Sequence, residues 1–164
     1  MLAVSSSAAS RRRWPAMRVA SPASIPRALC GRCAAVAIVV LDASVVIAFL
    51  DRGDTHHPAA VKAIGRTRGE ELVIPSSAYA EILVDPWRRG PDAVALVKRF
   101  LMDLGVRIEP LTAAMAERAA RLRASHRALR LPDALVLATA DTLGASALTC
   151  DRSWPRLSRR ARLV

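Results

Sequence analysis

Short apolar runs alternate with amphipathic segments along most of this chain. Four runs of mainly Val, Ile, Leu and Ala predict short buried β-strands. They are residues 36–41, 72–74, 106–108 and 145–149. Residues 92–103 instead repeat apolar side chains at helical spacing, with Val94, Val97 and Leu101 on one side. Because strands and helices take turns, the pattern predicts an α/β fold with a parallel sheet between helices.

Capping and turn residues set the predicted ends of the helices. Ser76 or Ser77 is expected to cap the helix after the second strand. This helix is expected to end near residue 84, because Asp85-Pro86 interrupts it. Residues 88–91 are then expected to form a loop. Two further helices are predicted from Thr112 to about His126 and from Pro132 to Gly144.

The first 36 residues differ from the rest of the chain. They hold six Arg and no acidic residue, with many Ser and Ala, three Pro and no apolar periodicity. We expect residues 1–36 to be a disordered basic extension, either a targeting segment or sequence translated from a start codon set too early. Residues 37–164 are predicted to form one domain, and deletion of the extension is expected to leave its stability and activity unchanged.

The net charge of +11 favours a polyanionic partner, although residues 37–164 carry only +5 of it. The apolar run at residues 34–50 does not predict a membrane span, because Asp42 lies in its middle and a charge at a bilayer centre costs about 2.5–3.5 kcal/mol. Three cysteines argue against a secreted disulfide scaffold. We expect a cytoplasmic protein without a membrane anchor.

Four acidic residues occupy corresponding places in the predicted elements. Asp42 and Asp151 directly follow strands, Asp133 lies in the first turn of a helix, and Glu81 lies on the helix after the second strand. Sites in open parallel sheets form at the carboxyl ends of the strands. All four carboxylates can therefore reach one edge of the sheet.

Each acid has an ordinary explanation when it is taken alone. Asp133 can interact favourably with the dipole at the start of its helix. Glu81 can be a solvated helix residue, and Asp151 can form a turn. Asp42 is harder to explain, because its apolar flanks supply no partner for a buried charge. Clustered carboxylates repel unless a cation is present, and an all-oxygen ligand set suits Mg²⁺ or Mn²⁺.

Four short motifs now carry a family resemblance. They are Val-Leu-Asp42-Ala-Ser44, Pro75-Ser-Ser-Ala-Tyr-Ala-Glu81-Ile-Leu, Leu131-Pro132-Asp133-Ala-Leu and Leu148-Thr149-Cys-Asp151. In this order and spacing they resemble PIN-domain nucleases over residues 37–160, and more narrowly the VapC toxins of toxin–antitoxin modules. One departure is Ser153, which stands where relatives often carry another acid.

The resemblance implies a three-layer α/β/α sandwich and a metal-dependent endoribonuclease that hydrolyses RNA phosphodiester bonds. It further implies that Asp42, Glu81, Asp133 and Asp151 are the catalytic residues and the Mg²⁺ (or Mn²⁺) ligands. Ser44 or Thr149 would orient them. The implied partners are an RNA substrate, a cognate antitoxin protein and a second copy of the chain in a homodimer.

Two other functions fit the same pattern. A catalytically silent module with the same fold could bind RNA or protein. A haloacid-dehalogenase-like phosphatase also has an aspartate after a strand, but it needs a second acid where this chain has Ser44.

Other polar residues receive simpler interpretations. His56 and His57 are assigned to a loop or helix start, His126 to a helix dipole or a phosphate, and Asp141 to a solvated helix face. Cys150 is assigned to the core, and no role is assigned to the pair Cys30 and Cys33.

Overall fold

The computed structural model of the protein describes residues 36–164. The predicted extension, with Cys30 and Cys33, lies outside the described residues except for Val36, and it stays a prediction. The strands are β1 (Ile38–Leu41), β2 (Glu71–Pro75), β3 (Arg107–Glu109), β4 (Ser146–Thr149) and β5 (Ala161–Leu163). The helices are α1 (Ala43–Leu50), α2 (His57–Gly65), α3 (Ser76–Arg89), α4 (Pro91–Asp103), α5 (Ala113–Ser125), α6 (Leu131–Leu143) and α7 (Trp154–Leu157).

The five strands form one parallel sheet in the order β3-β2-β1-β4-β5. Val39 of β1 pairs with Leu72 on one side and with Ser146 on the other. The chain moves outward from β1 to β3 and then returns to place β4 on the opposite side of β1. The strand order therefore reverses between β1 and β4, and this is where open parallel sheets form ligand crevices.

Helices cover both faces of this sheet. The central strands β1, β2 and β4 are buried at all but their first positions, which requires a cover on each face. Helix α6 contacts β1, β2 and β4, while α1 contacts β4 and α3 contacts β2. The predicted class, a three-layer α/β/α sandwich with a parallel central sheet, is confirmed.

Helix α3 is longer than the sequence predicted. It continues through Asp85 and Pro86 to Arg89, and Gly90 ends it with a φ of 118°. An interior proline removes one backbone hydrogen bond and usually kinks or ends a helix. Buried Ile82 and Leu83 anchor the turn before Pro86 to the core. The predicted end near residue 84 and the predicted loop at 88–91 are wrong.

The predicted caps have a mixed outcome. Thr112 does cap α5, since its side chain accepts a 3.3 Å hydrogen bond from the backbone N–H of Met115. Gly144 ends α6 in the left-handed conformation, with a φ of 65°. By contrast, Ser76 lies inside α3, and Pro75 precedes the helix without a side-chain cap.

Strand β5 and helix α7 are additions to the predicted elements. The strand has only three residues, Ala-Arg-Leu, and is mostly exposed, so it lacks the apolar run that predicts a buried strand. Backbone hydrogen bonds hold it to β4, from Ala147 N to Arg160 O at 2.9 Å and from Val164 N to Thr149 O at 3.1 Å. Within residues 36–164, no helix has the length and apolar character needed to cross a bilayer.

Candidate active site

A cleft of about 680 Å³ lies at the carboxyl edge of the sheet, at the point where the strand order reverses. Asp42 follows β1, Asp151 follows β4, Glu81 comes from α3 and Asp133 from the first turn of α6. All four side chains line this cleft. The structure therefore brings together every acid that the sequence placed at this edge.

Two hydroxyl groups hold the carboxylate of Asp42. Ser44 Oγ and Thr149 Oγ1 both donate to Asp42 Oδ2, the latter at 3.0 Å. Each hydroxyl also accepts from the chain just after β4: Ser44 from Cys150 N and Thr149 from Asp151 N, both at 3.1 Å. A hydroxyl has a single proton, so the two backbone donors direct both protons to Asp42. This network links the ends of β1 and β4.

Burial governs the ionisation of Asp42. Only 7% of the residue is exposed, and this desolvation raises the pKa of its carboxyl above the ordinary 3.8. The hydrogen bonds from Ser44 and Thr149 act in the opposite direction and lower that pKa in part. Among residues 36–164, the hydrogen bonds to this carboxylate come from hydroxyl groups and the backbone, and no basic side chain forms an ion pair with it.

Burial and the other three acids both affect the ionisation of Asp133. Its pKa is raised first by burial, and then by the negative charges of Asp42, Asp151 and Glu81. Carboxylates raise one another's pKa only when they lie close together in a poorly screened site. The raised pKa of Asp133 therefore reflects both its burial and the negative charge that the other three carboxylates bring to the cleft.

Three residues that the sequence interpretation did not place at the site also line the cleft. Asp54 and His56 come from the segment between α1 and α2, and Arg130 precedes α6. The Asp54 carboxylate accepts a 2.7 Å hydrogen bond from the backbone N–H of His56, and it lies 3.3 Å from the His56 ring nitrogen Nδ1. His56 lies at the start of α2, as the sequence interpretation assigned it, and it also lines the cleft.

Cys150 differs in part from its predicted place. It packs against the core but is only half-buried, and it also lines the cleft. Burial is the main reason that the pKa of its thiol is raised, and the charges of Asp42 and Asp54 add to the effect. A raised pKa keeps the thiol protonated and unreactive.

The donor set suits a hard divalent cation. The lining offers carboxylate oxygens, and Mg²⁺ is usually held by one or two carboxylates together with several waters. Among residues 36–164, no three side chains of Asp, Glu, His or Cys are grouped tightly enough to hold an ion by themselves. The carboxylate oxygens that line the cleft are nevertheless the donor type that such a cation prefers.

Asp141 does not lie on a solvated face, so its predicted assignment is wrong. Its side chain is only 15% exposed, and it pairs with Arg118 at 2.7 Å and with Arg160 at 3.1 Å. These contacts join α6 to α5 and to the segment before β5. The arginines come from distant parts of the chain, so the helical pattern around Asp141 could not reveal them.

The fold and cleft define a class of protein, and sequence comparison identifies the same class. The PIN domain family matches residues 39–160, so the chain belongs to that family. This match decides against the phosphatase alternative. Comparison with curated proteins found no significant match.

Solved structures of VapC-type toxins share the fold. VapC20 of Mycobacterium tuberculosis, described as a toxin that cleaves the sarcin-ricin loop, superposes with a TM-score of 0.61 at 22% identity, covering 72% of this chain and 93% of that one. VapBC2 of Rickettsia felis, solved in complex with a promoter DNA fragment, superposes with a TM-score of 0.62 at 14% identity, covering 77% of this chain and 97% of that one. A toxin–antitoxin complex from Klebsiella pneumoniae superposes with a TM-score of 0.57 at 22% identity, covering 76% of this chain and 95% of that one.

Proposed function

We propose that this protein is a metal-dependent endoribonuclease and the toxin of a toxin–antitoxin pair. One observation carries the proposal: four carboxylates from separate parts of the chain line a single cleft, where burial and then the negative charges of the other three raise the pKa of Asp133. Keeping such a cluster costs stability, so it is explained by a cation that the cluster binds. The PIN family match and the fold shared with VapC20 support a nuclease reaction.

Asp42, Glu81, Asp133 and Asp151 are the residues that would hold Mg²⁺ or Mn²⁺. When bound, such an ion lowers the pKa of a water and neutralises charge on the phosphate oxygens. The protein's own part is to fix the donors. Ser44 and Thr149 occupy Oδ2 of Asp42 and so hold this carboxylate in one orientation. A buried and oriented carboxylate loses little freedom on binding an ion.

Arg130 is suited to hold the RNA backbone. Its exposed guanidinium lies on the rim of the cleft, three residues before Asp133. Arginine binds phosphate through paired N–H donors and carries no base preference when it does so. The net reaction adds water across one P–O bond, and Arg130 keeps the scissile phosphate against the carboxylates while that bond breaks.

The proposed partners are a cognate antitoxin and a second copy of this chain. Solved relatives include toxin–antitoxin complexes from Rickettsia felis and Klebsiella pneumoniae, which supports an antitoxin for this protein. An antitoxin that covers the cleft would block substrate access. Light scattering after size exclusion measures whether the purified protein is a homodimer, and co-expression with candidate antitoxins measures complex formation.

A digest of defined RNAs tests the activity. Purified protein is incubated with single tRNA and ribosomal RNA species, with Mg²⁺ or with EDTA, and the products are mapped at nucleotide resolution. We expect cleavage at discrete sites with Mg²⁺ and none with EDTA. RNA binding without cleavage under all metal conditions would instead identify a catalytically silent binding module.

A further inference from the structure

A second, smaller cavity of about 210 Å³ adjoins the acidic cleft. Asp133, Asp151 and Ala128 line both cavities, so the two share a wall. A ligand group in the smaller cavity therefore lies directly beside the carboxylates. Any nucleotide that leaves the cleft on this side must pass the shared wall and meet the second cavity.

The rest of the lining combines apolar surface with uncommitted polar groups. Leu129 and Leu157 supply the apolar surface, and His126, Arg127 and Ser153 supply the polar groups. Among the described residues, neither the His126 ring nor the Arg127 guanidinium forms a hydrogen bond or ion pair with another protein group. Ser153 precedes α7, but its side chain makes no capping hydrogen bond.

The backbone around these groups is already held in place. His126 N donates to Leu122 O at 2.9 Å, and Leu129 N donates to His126 O at 3.0 Å. Ser153 N donates to Asp151 Oδ1 at 2.7 Å. Hydrogen bonds thus hold the backbone that carries these side chains, as expected for a binding site that is formed before its ligand arrives.

We propose that this cavity is a nucleobase subsite, which seats the base of a nucleotide adjacent to the scissile phosphate in single-stranded RNA. The inference rests on the proposed ribonuclease function. Pockets for whole small molecules span about 300–1,000 Å³, so this smaller cavity fits a part of a nucleotide. The base is the part that matches, because it is neutral beside Asp133 and Asp151 and has a flat face for His126.

Four of the lining side chains have a role in this subsite. The His126 ring stacks on the base, the apolar side chains of Leu129 and Leu157 cover its other surfaces, and Ser153 Oγ bonds to its polar edge. RNA-binding proteins read unpaired bases by this combination of stacking and edge contacts. A duplex cannot present a base to the cavity without unpairing it, so the subsite selects single-stranded or looped RNA.

A coupling experiment tests the proposal. A short RNA containing one mapped cleavage site is synthesised as a series, in which a single abasic nucleotide is moved stepwise across the site. The parent, His126→Ala and Ser153→Ala are compared by kcat/KM on each RNA. Binding of the same RNAs is measured by fluorescence anisotropy in EDTA. Arg121→Ala is the control. Arg121 lies on α5, the helix that ends directly before His126, but it lines neither cavity.

We expect His126→Ala to lower kcat/KM on intact RNA about five- to tenfold, the lower range for loss of one base stack. One abasic position next to the cleavage site should cause a similar loss in the parent, and at that position His126→Ala should cause no further loss. Ser153→Ala should show the same coupling at that position. Arg121→Ala should affect all RNAs equally.

Additive losses at every abasic position, with the parent cleaving intact RNA, would overturn the subsite and leave the ribonuclease function standing. Failure of the parent to cleave any RNA in Mg²⁺ would remove the proposed function itself. If His126→Ala lowers stability, Ser153→Ala provides the same coupling measurement at an exposed position.

Discussion

The hydroxyl of Thr149 donates a 3.0 Å hydrogen bond to Oδ2 of Asp42, across 107 positions of sequence. The last residue of β4 thereby orients the acid that follows β1. The parallel pairing of these two strands, with Leu41 opposite Leu148, makes this contact possible. The register of the sheet is therefore part of the site's geometry.

Thr149→Val should impair catalysis more than folding. The change removes a donor that lowers the pKa of Asp42, so that pKa should rise further and the acid limb of the pH–rate profile should move to higher pH. We expect the cleavage rate near neutral pH to fall roughly tenfold, as expected for a lost hydrogen bond to a charged group.

Thr139→Val is a matched control for that variant. Thr139 is also fully buried, and its hydroxyl donates to Leu135 O at 2.8 Å within α6, away from the cleft. Its loss should cost about 1 kcal/mol of stability and leave the pH–rate profile unchanged. Identical profiles for the two variants would contradict the role assigned to Thr149.

Asp133→Asn should stabilise the metal-free protein at neutral pH. Because folding raises the pKa of Asp133, its contribution to stability is complete below the unfolded value and is lost as pH rises through the higher folded value. The uncharged side chain of the variant does not ionise, so the variant does not lose stability in this way as the pH rises. Its Tm in EDTA should exceed the parent's near pH 7, and the difference should disappear at about pH 3, where both forms are neutral.

Asp92→Asn provides the comparison for that measurement. Asp92 also follows a proline in the first turn of a helix, α4, but it lies outside the cleft. Its replacement should lower stability by about 0.3–1 kcal/mol through loss of the helix-dipole interaction. A drop in Tm for Asp133→Asn of similar size would show that Asp133 is only a helix-end residue.

Arg130→Ala should weaken RNA binding across all sequences. The guanidinium is expected to contact a phosphate, so its removal should raise KM and reduce the slope of log K against log salt by about 0.7 for a single-stranded RNA. The control is Arg99→Ala, since Arg99 is an exposed residue of α4 paired only loosely with Asp103 at 3.8 Å. A salt slope that stays at the parent's value in Arg130→Ala would exclude the contact.

Asp141→Asn should reduce stability and spare activity. The carboxylate is mostly buried and pairs with Arg118 and Arg160, although both arginines are themselves partly exposed. We expect a loss of about 1–2 kcal/mol in urea unfolding. Glu117→Gln should lose much less, because Glu117 is 71% exposed and its pair with Arg121 is long at 3.8 Å. Equal stability of the two variants would show that Asp141 contributes no more to stability than a solvated residue does.

Strands β1 to β4 and the four acids could be predicted because their signals are local. Buried strands such as β1 are apolar runs, and an acid such as Asp42 directly after a run needs no further information to be placed at the strand's end. The long-range partners were not predictable in this way. Arg118 and Arg160 reach Asp141 only after α5 and β5 have packed.

The misjudged elements also have physical reasons. Pro86 signals a helix end in isolation, but packing of Ile82 and Leu83 outweighs the lost backbone bond and α3 continues. Asp54 and His56 follow α1 in a polar segment with no periodic pattern, so only its folded path reveals that they line the cleft.

The most direct test of the central claim is RNA cleavage as a function of Mg²⁺ concentration, for the parent, Asp42→Asn and Asp92→Asn. Asp42→Asn keeps the side chain's shape but removes a full negative charge. It should remain folded by circular dichroism and should still bind RNA. Its cleavage rate should fall by at least about 100-fold, more than the usual cost of losing a group that only supports a metal ligand. Asp92→Asn should match the parent. Equal activity of Asp42→Asn and the parent at saturating Mg²⁺, or unfolding of the variant, would contradict the account.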